Sequence, residues 1–229
     1  MTKETKSNYK LHTKLREANK DLWKEYVTHP FVGELAAGTL SISCFKYYLA
    51  QDYLFLIQLA RAYALAAYKS DNLDEIRSCA SGISAIIDSE IQLHLDYCAN
   101  WGLDKKDILA TKEALATIAY SRYVLDKGMQ GDLLDLYVAL SPCIIGYSEI
   151  GARIANDPLT TLRGNPYLSW IELYSSADYQ SVAQTHSVMM DMLWNQRAGE
   201  KRLNQINNNF SQAVQLEVDF WQMGLDAGS

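Results

Sequence analysis

Apolar residues recur along this chain at helical spacing. Leu11, Leu15, Leu22 and Tyr26 fall on one face, which predicts an amphipathic helix from Tyr9 to Thr28. His29-Pro30 ends it, because the residue before proline resists the α region. Phe31 to Ala37 reads as a short helix stopped by Gly38. Ser41 or Ser43 can cap the next helix, which runs through Phe45, Tyr48, Leu49, Asp52, Phe55, Leu56, Leu59 and Tyr63 to Lys69. That stretch is apolar on most faces and predicts deep burial.

After a break at Asp71-Asn72, Leu73 to Asn100 predicts another helix. Its expected inner positions are Ile76, Ile83, Ile87, Ile91, Leu95 and Cys98. Asp104 to Ala110 is a short helix, and Thr111 caps one that reaches Lys127 before Gly128. Asp132 to Ala155 follows. Asn156-Asp157-Pro158 and Gly164-Asn165-Pro166 bracket a loop. Further helices are expected over Tyr167 to Tyr174, Asp178 to Gln196, and Gly199 to Gly224. No period-two strand run, repeat or low-complexity linker stands out. The expectation is one all-α domain over residues 1–229, a multi-helix bundle.

Composition sharpens this picture. With 48% hydrophobic residues among 229, a large core is readily filled, and 12 Gly and 4 Pro leave few breaks. The net charge is -6 and no Lys/Arg block occurs. Phosphate neutralisation needs clustered positive charge, so nucleic acid is excluded as a partner, and an anionic membrane surface is disfavoured. Residues Met1 to Ser7 are polar and lack an apolar signal core. No uninterrupted apolar run reaches the roughly 18 residues of a membrane span. The four cysteines, Cys44, Cys79, Cys98 and Cys143, lack CxxC spacing and are expected as free thiols in a cytoplasmic protein.

One position breaks the helical pattern. Pro142 sits inside the run from Asp135 to Tyr147, where proline removes a backbone donor and clashes with the preceding turn. The Val138 carbonyl, four residues earlier, loses its usual partner. Cys143 at this irregularity, one turn before Tyr147, is a candidate reactive thiol; Cys44, Cys79 and Cys98 read as inert core. Asp52, Glu90, Glu149 and Glu217 are carboxylates on apolar helices, and such groups need a partner or a ligand. Glu90 and His94 share a helical face and are expected to pair or to support a neighbouring group. The Glu-x-x-His pairs of a carboxylate-bridged di-iron bundle are missing, so neither metal nor cofactor is expected.

Several motifs together resemble the TenA, or thiaminase II, family. They are His29-Pro30-Phe31-Val32 with Gly38-Thr39-Leu40, Phe45-Lys46-Tyr47-Tyr48-Leu49-Ala50-Gln51-Asp52-Tyr53-Leu54, and Glu90-Ile91-Gln92-Leu93-His94. Ala119-Tyr120-Ser121-Arg122-Tyr123, Ser141-Pro142-Cys143-Ile144-Ile145-Gly146-Tyr147 and Glu217-Val218-Asp219-Phe220-Trp221 complete the set. The resemblance implies a haem-oxygenase-like fold and a homotetramer. It also implies hydrolysis of 4-amino-5-aminomethyl-2-methylpyrimidine to the hydroxymethyl product and ammonia, with thiamin as a further substrate. Cys143 places the chain in the cysteine-containing branch. By motif, Cys143 is the nucleophile and Glu217 the acid/base. Asp52 holds the pyrimidine amino face, Phe55 stacks on the ring, and Tyr147 and Tyr174 contact it. Tyr120 and Tyr123 both fit the remaining tyrosine position. Two other readings are a haem or di-iron oxygenase on the same fold, and a non-enzymatic pyrimidine-binding regulator.

Overall fold

The computed structural model describes residues 10–197 and 200–228. Every regular element among them is helical. Helices α1 (Leu11–Ala18), α2 (Lys20–Val27) and α3 (Pro30–Ala37) lead into the long α4 (Ile42–Lys69). Then come α5 (Leu73–Ser84), a widened π turn (Ala85–Glu90), α6 (Ile91–Asn100) and α7 (Lys105–Ala110). Next are α8 (Leu115–Gln130), α9 (Leu133–Ser141), a second π turn (Pro142–Gly146) and α10 (Tyr147–Asn156). Helices α11 (Leu168–Ser175), α12 (Ala177–Arg197) and α13 (Leu203–Asp226) complete the fold. Helices α4, α8, α9 and α13 pack together at its centre. Trp221 is fully buried there and stacks on Phe31 at 5.0 Å and Tyr147 at 5.2 Å between ring centroids.

The first expected helix is two. At Asn19 the backbone leaves helical geometry, and the side-chain amide donates to the Leu15 carbonyl and to Asn207 Oδ1, each at 2.8 Å. Asparagine competes with the helix through such local bonds, and α13 supplies the second acceptor. His29 caps α3, its Nδ1 accepting from the Phe31 amide, and Gly38 closes it at φ 74°. That left-handed geometry suits glycine, which has no Cβ to clash.

Two expectations on the following helices need correction. Ile76 and Ile87 face outward, at 39% and 51% exposure, whereas Cys79, Ile86, His94 and Cys98 are buried. The helix docks on α4 through its small residues: a Cβ on Gly82 would lie 2.8 Å from the Tyr63 ring. Close approach on that face turns Ile76 and Ile87 away. Helix α8 begins at Leu115 rather than after Thr111, because buried Gln51 captures the segment before it. Its amide donates to the Lys112 carbonyl at 2.9 Å, and its Oε1 accepts from the Ala114 amide at 2.9 Å and the Thr117 hydroxyl at 2.6 Å. Gly128 lies within α8, where a Cβ would press on Leu65 and Leu136, and the helix continues to Gln130.

Pro142 widens its helix without breaking it. The chain passes from α9 through the π turn into α10. Four carbonyls around the proline find side-chain donors. The Ser141 hydroxyl donates to Val138 at 2.8 Å, and the Cys143 thiol to Leu140 at 3.0 Å. The Tyr26 hydroxyl donates to Pro142 at 3.1 Å and that of Tyr179 to Cys143 at 3.3 Å. Single π turns of this kind are concentrated at functional sites. The stretch Leu133–Asn156 is apolar and long enough to cross a membrane, but 89% of its most apolar window is buried inside the fold, as for a core helix.

Candidate active site

The two π turns flank one cavity of about 640 Å³. It collects Asp52 and Phe55 from α4, Tyr120 from α8, Cys143 and Tyr147 around the second π turn, Tyr174 from α11, and Glu217 and Phe220 from α13. Residues far apart in the chain therefore share one chamber, which ligand pockets of roughly 300–1,000 Å³ typically resemble in size.

Tyr120 links the two groups expected to react. Its hydroxyl donates to Glu217 Oε1 at 2.8 Å and stands beside the Cys143 thiol, whose own proton goes to the Leu140 carbonyl. The carboxyl of Glu217 is driven up to about 8, chiefly by burial, with Asp52 adding to the rise and the Tyr120 hydrogen bond opposing it. Burial, then the nearby Glu217 charge, pushes the Cys143 thiol well up, while the Tyr120 bond pulls it back. Both groups therefore carry a proton at neutral pH. The neighbours of Cys143 thus do not enrich the thiolate at rest. The sulfur must shed its proton as it reacts.

The opposite wall is anchored by Asp52. Its Oδ2 lies 2.6 Å from His94 Nε2 and accepts from the Tyr48 hydroxyl at 3.4 Å. Trp170 Nε1 in turn donates to that hydroxyl at 3.2 Å. Burial disfavours charge on His94, but the bond to Asp52 and its charge, together with the charge and backbone of Glu90, outweigh it and raise the imidazole above its ordinary value. His94 thus supports Asp52 across on α4, and Glu90 on its own helix also favours its protonated form. Glu90 lines the cavity, and burial lifts its carboxyl to about 7.

Aromatic rings make the remaining walls. Phe55 stacks on Tyr120 at 4.8 Å, and Tyr147 meets Tyr174 edge-on at 4.9 Å. Two sequence-selected residues lie elsewhere. Tyr123 is absent from the cavity wall, and its hydroxyl donates to the carbonyl and side-chain oxygens of Asn209, each at 3.1 Å. Three residues beyond Tyr120 on α8, it meets α13 away from Glu217, which corrects its place among the substrate contacts. Glu149 faces outward, accepting from Arg16 at 2.7 Å and from Trp23 Nε1 at 3.2 Å. Phe220 and Tyr179 line the cavity and escaped sequence reasoning. For Phe220 the signal was its place three residues after Glu217; for Tyr179 the chain held none. Among the described residues no group of three or more His, Cys, Asp or Glu side chains is placed to hold a metal ion.

This helical architecture around one buried cavity is the haem-oxygenase-like fold. A Shewanella denitrificans structure, described as a domain of unknown function with a heme oxygenase-like fold, superposes with TM-score 0.73 at 17% identity, covering 97% of this chain and 93% of that one. The TENA/THI-4/PQQC family model matches residues 16–227, and the chain belongs to that family. A Haemophilus influenzae protein of uncharacterised role is 42% identical over 204 residues, 89% of this chain and 94% of the relative. An aminopyrimidine aminohydrolase from Halalkalibacterium halodurans is 32% identical over 212 residues, 91% of this chain and 92% of its own length. A crystal structure from Silicibacter, described as a TenA family transcription regulator, is 38% identical with TM-score 0.88, covering 94% of this chain and 96% of that one.

Proposed function

We propose that this protein is an aminopyrimidine aminohydrolase. It converts 4-amino-5-aminomethyl-2-methylpyrimidine and water into the 5-hydroxymethyl compound and ammonia, and thiamin is a further substrate. One observation carries the reading: Cys143 and Glu217 open into the same cavity, bridged by Tyr120 and faced by Asp52.

Water displaces an amine from a ring-bound methylene poorly, so covalent catalysis suits this bond. The Cys143 sulfur adds to the electron-poor ring carbon beside the one that bears the methylene. Its proton passes to the adjacent ring nitrogen, which the addition makes basic. Electron density from the 4-amino group then expels the exocyclic amine. The C–N bond breaks as Glu217 delivers its proton, and ammonia leaves. Water adds to the exocyclic carbon and returns a proton to Glu217. Breaking the C–S bond restores the ring and, with the proton from the ring nitrogen, the thiol.

Asp52 supports this chemistry by accepting from the 4-amino group, and His94 and Tyr48 hold its carboxylate in place. Phe55, Tyr147 and Tyr174 supply the apolar contact surface for the ring. The family resemblance extends the proposal to one catalytic domain, a homotetramer and a cytoplasmic setting.

Mass spectrometry of the product from the aminomethylpyrimidine, with ammonia quantified alongside, tests the reading. Equimolar hydroxymethylpyrimidine and ammonia are expected, and intact substrate after prolonged incubation sinks it. Asp52→Asn should weaken pyrimidine binding by about tenfold to a hundredfold, the usual effect of mispairing a buried polar group. Unchanged affinity by calorimetry would remove that assignment. A second reading, a ligand-responsive regulator, is favoured by the description of the Silicibacter relative. Binding of the pyrimidine without ammonia release would select it.

A further inference from the structure

Cys143 stands in the second π turn, where helical bonding alone does not hold the backbone. The proline removes one amide, and the widened turn leaves its carbonyls to side-chain donors. Two of those donors are phenols from distant helices. Tyr179 of α12 lines the cavity and reaches the Cys143 carbonyl at 3.3 Å. Tyr26 of α2 reaches the Pro142 carbonyl at 3.1 Å, and it is fully buried and absent from the cavity wall. A bound pyrimidine therefore does not touch Tyr26, and the mechanism above gives it no task.

Its surroundings point to one. The Tyr26 ring presses on Gly146, the last residue of the turn. A Cβ at Gly146 would lie 2.4 Å from Tyr26 Cε1 and 2.7 Å from its hydroxyl oxygen, so the turn and the phenol fit only without a side chain there. The ring also stacks on Trp221, with centroids 6.4 Å apart and planes at 19°, and Trp221 stacks in turn on Tyr147 at 5.2 Å. Trp221 follows Glu217 by one helical turn on α13. Tyr26 thus meets both the turn that carries the nucleophile and the helix that carries the acid. Packing against Trp221 and Gly146 needs only a ring, which phenylalanine would supply; the hydroxyl serves the Pro142 carbonyl. That hydroxyl keeps its proton to donate, because burial, then the Glu217 and Cys143 charges, lift the phenol well above its usual range.

We propose that Tyr26 is a positioning residue for the reaction. Its hydroxyl, bonded to the Pro142 carbonyl, fixes the π turn so that the Cys143 sulfur faces the ring carbon while Glu217 faces the departing amine. Misplacing a reacting atom by about 1 Å can cost about a hundredfold in rate, so a bond remote from the substrate suffices to matter. This role rests on the aminohydrolase reading of the cavity, and it adds a residue outside the cavity wall that the reading does not require.

Tyr26→Phe tests it beside Tyr123→Phe, which removes a phenol bonded to a backbone carbonyl at 3.1 Å away from the cavity. In the ammonia assay Tyr26→Phe should lower kcat by about tenfold to a hundredfold and change KM by about twofold or less. Tyr123→Phe should leave both within about twofold. A second readout needs no turnover: labelling by iodoacetamide, followed at each cysteine by mass spectrometry. In Tyr26→Phe it should run about threefold or more faster at Cys143, with Cys44, Cys79 and Cys98 at parental rates. A thiol freed from its geometry reacts more readily with a small electrophile and less readily with the substrate. General destabilisation does not produce that crossing. Circular dichroism follows the helical content of both variants. Parental kcat in Tyr26→Phe overturns the proposal, as does an equal loss in Tyr123→Phe or a loss confined to KM. A parental labelling rate at Cys143, or a rise shared by all four cysteines, also overturns it. So does a Tyr26→Phe chain that loses its helical content, since the residue then serves the fold. If the parent releases no ammonia, the hydrolase reading falls and labelling alone decides. A selective rise at Cys143 then keeps Tyr26 as the residue that sets the thiol, and a parental rate removes it.

Discussion

Cys143→Ala is expected to lower turnover of the aminomethylpyrimidine by about a thousandfold or more, with helical content unchanged. The size follows from the chemistry. Without sulfur there is no adduct, and the ring cannot expel its amine. The fold should tolerate the change, because Cys143 lies at the cavity wall with 8% exposure and its removal enlarges an existing space. What is lost structurally is the thiol bond to the Leu140 carbonyl at 3.0 Å. Cys143→Ser restores a donor at that point while remaining a far weaker nucleophile, so it separates packing from reactivity. Near-complete inactivation of both variants is the expected result in the ammonia assay. Substantial activity in either would remove the covalent route and leave direct attack by water.

Glu217→Gln should reduce kcat by about a hundredfold to ten-thousandfold while changing KM much less. Glutamine keeps the volume and an oxygen that can accept from Tyr120, so the hydrogen bond at 2.8 Å has a substitute. It cannot deliver a proton to the departing nitrogen. The pH dependence gives a second readout. Burial raises this carboxyl to about 8, so the proton-donating form prevails below that pH and is lost above it. In the parent protein kcat should therefore fall as pH rises through about 8. In the Gln variant that alkaline limb should disappear. A loss confined to KM, or an alkaline limb that survives the substitution, would leave Glu217 with a binding role only.

The tyrosine between these groups shows where sequence reasoning stops. Tyr120 and Tyr123 lie three residues apart on α8, and either could be placed near the site from the local pattern. Register against α13 decides. Tyr120 reaches Glu217, whereas Tyr123 reaches Asn209. Asp52 poses the same problem over a longer range. Its isolation on an apolar helix signalled a missing partner, but His94, 42 residues away, is supplied by a helix folded back on α4. The spacing of Glu90 and His94 suggested a local pair or support for a neighbouring group, but only the folded chain names Asp52 as the group supported. Ile76 and Ile87 show a related limit. Apolar periodicity favoured the larger side chains as the inner face, yet close packing of Gly82 against Tyr63 selects Cys79 and Ile86 instead.

The all-helical architecture, most helix positions and the irregularity at Pro142-Cys143 were legible from the order of residues, because backbone sterics and the 3.6-residue helical period act locally. The shared chamber, the choice of Tyr120, the His94–Asp52 pair and the protonated state of Glu217 emerge only in three dimensions. Each depends on which helices approach and how far water is excluded between them, and burial, hydrogen-bond partners and charge spacing have no values until the chain has folded.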